Sequence, residues 1–179
     1  MTIKAVVFDV DGVIIKTSRF SERYSKEFGI PIKKVLAYIK NEHKQCLVGK
    51  ADFRTEISKY VKAWGWKKTL DELVEYWFSG EREPISEMLD LAANLRRKNF
   101  KVYLATNQVK DRDTDLNHHL GLDKLFDGMY VSAHVGIKKP DATFFSHILS
   151  DLKLNPDEII FIDDTEENII TAKKTGMHA

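Results

Sequence analysis

Cysteine occurs once in the chain of 179 residues, as Cys46. A single thiol excludes an internal disulfide framework. With no Cys or His cluster at ligand spacing it also points away from zinc and towards a reducing cytoplasm. Proline is scarce, at four, and there is no low-complexity segment, internal repeat or Asn-x-Ser/Thr sequon. Long hydrophobic runs are missing: no stretch approaches the roughly 20 apolar residues of a membrane-spanning helix. The N-terminus enters a strand pattern without the basic segment and apolar core of a signal peptide. Neither sign of charge is in excess, since 28 Lys and Arg stand against 27 Asp and Glu, and no long basic run appears. Nucleic acid and acidic membrane are therefore not expected as partners; a small molecule is, with the chain a monomer or a weak homodimer.

What is present is an ordinary globular composition, 43% hydrophobic and 31% charged. The length suits one core plus a small inserted subdomain. Four short β-branched and aromatic runs, "AVVFD" at 5–9, "KVYLAT" at 101–106, "MYVSA" at 129–133 and "EIIFID" at 158–163, read as strands. Their near-continuous apolarity suits a parallel sheet covered on both faces. Between them lie helical stripes: Met88, Leu91, Ala92 and Leu95, then Phe144, Phe145, Ile148, Leu149 and Leu152. Thr165 stands where an N-cap is expected for a last helix that packs through Ala172 and ends at Gly176. The alternation predicts a doubly wound, Rossmann-like α/β core with a parallel sheet flanked by helices.

Residues 14–83 interrupt that alternation with four amphipathic helical stretches and no strand. They are expected to form a small inserted four-helix cap, leaving 1–13 and 84–179 as the α/β core. The many aromatics of this segment, Trp64, Trp66 and Trp77 among them, read as its packing rather than as a cofactor site.

Polar groups able to do chemistry follow the strands. Asp9 and Asp11 follow the first, Thr106 and Asn107 close the second, Lys139 lies shortly after the third, and Asp163 and Asp164 end the fourth. Taken alone, "DVDG" is better explained by a surface turn. In a parallel α/β sheet, however, all strand C-termini lie along one edge, where such folds bind ligands, so the four clusters converge. Converging carboxylates repel and call for cations. A hard divalent ion suits the all-oxygen set Asp9, Asp11, Asp163 and Asp164, and Lys139 adds a fixed positive charge. Such a site suits a dianion, most simply a phosphoryl group, and permits a carboxylate nucleophile.

The motifs "DVDGV", "ATN", "KKPD" and "IDDTEENI", in that order, resemble those of the haloacid dehalogenase-like hydrolases, and the resemblance runs from Val6 to the C-terminus. It implies that Asp9 attacks phosphorus to form an aspartyl phosphate and that Asp11 handles the leaving-group proton. It also implies that Thr106, Asn107 and Lys139 hold the phosphate, Lys139 being preferred over Lys138. The Mg2+ would be held by the Asp9 carboxylate, the Asp11 backbone carbonyl and the pair Asp163 and Asp164, with Asp164 preferred for direct contact. Members that cleave carbon–halogen bonds lack the second aspartate, so Asp11 favours phosphoryl chemistry. The inserted helices resemble the cap of the subfamily that includes phosphoglycolate phosphatase, sugar-phosphate phosphatases and β-phosphoglucomutase. The expectation is a Mg2+-dependent phosphatase of a small phosphorylated metabolite; the alternatives are a sugar phosphomutase and a non-catalytic phosphate-binding module. Lys50 and Arg54 of the cap are weighed as substrate contacts and read instead as solvated helix charges. Glu167 and Asn168 are assigned to orienting the loop or capping the helix.

Overall fold

The computed structural model describes residues 2–179. Strands β1 (Ala5–Phe8), β2 (Lys101–Thr106), β3 (Gly128–Val131) and β4 (Ile159–Ile162) form one parallel sheet in the order β3-β2-β1-β4. Successive side chains of a strand point to opposite faces, and here both faces are covered. Val6 and Phe8 pack with Val102 and Leu104 under one helical layer, while Ala5 and Val7 pack with Ile159 and Phe161 under the other. Beyond β4, His178 pairs in parallel with Ile160 through the Phe161 N–H to His178 O bond of 2.8 Å.

The inserted segment carries α1 (Phe20–Phe28), α2 (Ile32–Lys40), α3 (Glu42–Cys46), α4 (Phe53–Ser58) and α5 (Leu70–Ser79). They enclose a separate apolar cluster in which Phe20 stacks on Trp77 with ring centroids 4.0 Å apart. Buried Trp64 is tied to the Lys34 carbonyl. Trp66, half-buried in the turn before α5, donates to the Thr69 carbonyl at 2.8 Å. α5 starts at a capping box in which Thr69 and Glu72 satisfy each other's backbone N–H groups. The four helical stretches read from the sequence thus become five helices. The second divides at Asn41, whose side-chain amide bonds back to the Ala37 carbonyl and competes with the helix ladder. The third stays helical only over α4, where the Ser58 hydroxyl turns back onto the Thr55 carbonyl.

The two chain crossings into the insertion run side by side. Lys16 N–H donates to Glu83 O and Ile85 N–H to Ile14 O, each at 2.8 Å. The remaining helices are α6 (Ser86–Arg97), α7 (Lys110–Leu120), α8 (Leu122–Leu125), α9 (Ser132–Val135), α10 (Ala142–Leu152) and α11 (Glu166–Lys174). Leu91 of α6 lies outside the buried stripe assigned to it, at 40% exposure. Thr165 does occupy the N-cap position of α11, but its hydroxyl makes no capping bond; the Asp163 carboxylate accepts the Thr165 N–H instead. Among the described residues no helix is long and apolar enough to cross a membrane.

Candidate active site

The strand register sets the geometry. Phe8 lies opposite both Leu104 and Ile162, so Asp9 and Asp163 are the next residues on adjacent strands, and the Asp9 N–H donates to Ile162 O at 2.8 Å. β2 runs two residues further and ends at Thr106. The chain leaves β1 through Gly12 in a left-handed conformation, φ +79°, where a Cβ would stand 2.8 Å from Asp164 Cγ. Glycine is needed there twice over, for the backbone angle and for the space.

Lys139 is the hub. Its side chain is 1% exposed, and Nζ stands 2.8 Å from Asp9 Oδ1 and 2.6 Å from Asp163 Oδ2. Asn107 fixes the Lys139 backbone in both directions, donating to its carbonyl and accepting from its N–H at 2.9 Å each. Asn107 therefore positions the lysine, and Lys138 makes no comparable contact. Asp9 Oδ1 also accepts the Val10 N–H at 2.7 Å; among the described residues Oδ2 accepts no hydrogen bond. Asp163 is saturated by Lys139, by the Asn168 amide at 2.9 and 3.0 Å and by the Thr165 N–H at 2.8 Å. Asp164 is exposed and, among the described residues, is bonded only by the Thr165 hydroxyl at 3.3 Å. The Thr106 hydroxyl is fully buried and has no hydrogen-bond partner among the described residues. It stands at the strand-end edge beside Asp9 and Lys139, where a ligand oxygen would satisfy it.

Electrostatics follow from the crowding. Burial pushes the Asp9 carboxyl up to about 7, helped by Asp163 and Asp11 and opposed by Lys139. Asp11 is also raised, by burial above all, against the pull of Arg112 and Lys139 and the Gln108 hydrogen bond. One oxygen from each of Asp9, Asp163 and Asp164 lies within 4.8 Å of the others. An all-carboxylate set with a free oxygen on Asp9 and an exposed Asp164 fits a hard divalent cation such as Mg2+. The Asp11 carboxylate stands outside that set and accepts from the Gln108 amide. A second acidic group, Glu75, Asp115 and His119, is already neutralised by the guanidinium of Arg82, which bridges Glu75 and Asp115.

Three participants escaped the sequence reading. Gln108 directly follows Thr106 and Asn107, and that adjacency was a usable signal. Glu81, where the chain leaves the cap, has its carboxyl lifted to about 7 by burial and by the nearby Asp11. Arg112 is fully buried inside α7, bonding the backbone carbonyls of Phe78 and Glu81 and the Asp115 carboxylate. Nothing in "KDRDTD" separates it from a solvated helix charge. Arg54, weighed as a substrate contact, is bound by Asp71 and, at 2.8 Å, by Asp111.

The structure is a doubly wound α/β protein whose strand ends gather acids, a buried lysine and a buried threonine hydroxyl at the edge where such sheets bind ligands. Residues 3–176 match the model of the haloacid dehalogenase-like hydrolases, and the chain belongs to that family. It is 36% identical over 100 residues to the sesquiterpene phosphatase of Aspergillus oryzae, covering 55% of this chain and 50% of that one. It is 25% identical over 97% of its length to the D-ribitol-5-phosphate phosphatase of Bacteroides thetaiotaomicron, covering 89% of that protein. Bifunctional epoxide hydrolase 2 of Mus musculus matches 99% of this chain at 27% identity. The chain spans half the length of the fungal phosphatase and 36% of the mouse enzyme. The crystal structure of a haloacid dehalogenase family enzyme from Bacteroides thetaiotaomicron superposes with a TM-score of 0.86 at 22% identity, over 99% of this chain and 92% of that one. The shared fold is thereby established.

Proposed function

We propose that the chain is a Mg2+-dependent phosphatase that hydrolyses a phosphomonoester through an aspartyl phosphate on Asp9. The observation that carries this reading is the free Oδ2 of Asp9 beside a buried lysine and an orphaned threonine hydroxyl. The phosphatases among the chain's relatives support it.

Asp9 Oδ2 attacks phosphorus, forming the Asp9 O–P bond as the bond from phosphorus to the leaving oxygen breaks. Lys139 and the Thr106 hydroxyl hold phosphoryl oxygens, so the charge that develops there meets donors already in place. Asp11, whose raised affinity for a proton suits a general acid, protonates the departing alkoxide. As a carboxylate it then takes a proton from the water that attacks the aspartyl phosphate, and phosphate leaves with Asp9 regenerated. A Mg2+ ion held by Asp9, Asp164 and the Asp11 backbone carbonyl, with Asp163 orienting Lys139 and the loop, would offset the carboxylates' charge and that of the phosphoryl group.

The test is hydrolysis of an aryl phosphate with Mg2+. The Asp9→Asn variant is expected to lose activity by about 10^4-fold or more. Wild-type rates in that variant would rule out Asp9 as the nucleophile.

A further inference from the structure

A cavity of about 540 Å3 opens beside Asp11 between the cap and the strand ends. Its core end is polar, with Asp11, Asn107, Gln108 and Glu81 in the wall. The cap contributes an apolar side, Ile32, Leu36 and Ile39 of α2, Leu47 after α3, and Trp77 and Phe78 of α5, and a polar stretch, Thr17, Ser18, Arg19, Ser21 and Glu22, where α1 begins. On α2, Val35 and Tyr38 are fully buried in the cap's own cluster. Ile32, Leu36 and Ile39 follow i, i+4, i+7 spacing on a second apolar stripe. Ile32 remains 42% exposed and Leu36 is only half-buried. Ile39 also packs against the cap's cluster, while Ile32 and Leu36 leave apolar surface on the void.

The ionisable groups of the wall offer little to a second charge on a substrate. Arg19 stands 72% exposed with Glu22 at 3.3 Å, where water screens its charge. His43, packed against Trp77 with ring centroids 5.3 Å apart, is driven by burial down to about 4 and is neutral at physiological pH. Lys50 and Arg54 do not line the cavity. Along α2 and α5 a sugar or a bisphosphate would leave its hydroxyls or its second anion against hydrocarbon, at the cost of unpaired polar groups. An alkyl or prenyl chain would exclude water from the same wall.

We propose that the leaving group is an apolar alcohol, so that the substrate is the phosphate monoester of a medium-length alkyl or isoprenoid chain whose tail lies along α2 in this cavity. The inference rests on the phosphatase reading. It goes further by assigning a specificity role to Ile32, Leu36 and Ile39.

The experiment measures kcat/KM with Mg2+ for butyl, hexyl and octyl phosphate as monomers, beside ribitol 5-phosphate and an aryl phosphate. The expected result is a rise of roughly three- to fourfold per methylene, or about 100-fold from butyl to octyl, carried mainly by KM. Octyl phosphate is expected to outrun the polyol phosphate. In Leu36→Asp the octyl-to-butyl ratio should fall at least tenfold; if that variant does not fold, Ile32→Asp at the more exposed position takes its place. A flat alkyl series, or a polyol phosphate turned over faster than octyl phosphate, overturns the apolar leaving group while aryl phosphate turnover leaves the phosphatase reading intact. Absence of turnover on every ester overturns both.

Discussion

Lys139 is balanced between Asp9 and Asp163 at 2.8 and 2.6 Å in a setting closed to water, and that balance makes it a structural as well as a functional group. Taking away one member of a buried ionic cluster leaves the others uncompensated, which costs about 3–5 kcal/mol. Lys139→Met should therefore lower the urea unfolding free energy, measured in chelator, by about that amount; an unchanged midpoint would contradict the role of the lysine as counter-charge. At Asp11 the expected loss is kinetic. Asp11→Asn should slow alkyl phosphate hydrolysis by about 10^2- to 10^4-fold. The loss should be smaller for an aryl ester, whose leaving group needs less help from an acid, and equal losses on the two esters would contradict proton donation by Asp11. His43 supplies a pH dependence of stability. Burial lowers its folded-state value from 6.5 to about 4, so the unfolded chain takes up the proton first as pH falls. The stability it contributes is complete above pH 6.5 and is lost down to about pH 4, by up to about 3 kcal/mol. Between pH 7 and 4.5 the wild type should lose about 2 kcal/mol more than His43→Gln in urea unfolding; parallel losses would contradict the burial argument. The comparison with the variant matters because Asp9 and Glu81, both raised to about 7, shift stability with pH in the opposite sense.

Among the elements, the turn between β1 and the cap is the most demanding. Gly12→Ala forces an L side chain into φ +79° and against Asp164. A loss of about 1–3 kcal/mol is expected, together with weaker Mg2+ binding by titration, since the displaced group is Asp164. Unaltered Mg2+ affinity would show that Asp164 is not a ligand. This turn also marks how far the sequence could be read. Strand runs such as "AVVFD" and "EIIFID" were legible because a strand buried on both faces has no polar alternation, and parallel pairing then aligns their ends without further information. The division of the second cap stretch at Asn41 was not legible, because it depends on a side chain competing with backbone bonds inside an otherwise helical pattern. Thr165 holds the cap position that its place in the sequence suggests, but its side chain makes no capping bond; Asp163 accepts the Thr165 N–H, since the loop turns that carboxylate towards both the start of α11 and Lys139. Lys139, Asp9 and Asp163 are far apart in the chain and meet through register. Arg112 had no signal, because its burial arises only where α7 docks against the cap.

For the molecule as a whole, the start of α7 is what the cap rests on. Val109 joins the cap's apolar cluster, Arg112 bonds the Phe78 and Glu81 carbonyls, and Arg54 reaches across to Asp111. The cavity beside Asp11 thus depends on contacts made by residues that touch no substrate. The central claim is narrower, that phosphorus passes through Asp9, and it is tested most directly by covalent labelling. The enzyme is mixed with Mg2+ and an octyl phosphate carrying radioactive phosphorus, quenched in acid within a turnover, digested with pepsin at acid pH and analysed by mass spectrometry. The expected result is an acid-stable, base-labile phosphoryl group on Asp9 in a peptide that contains the "DVDG" stretch, absent from Asp9→Asn. Sustained phosphate release with no label on that peptide, or with label on another residue, would contradict the account.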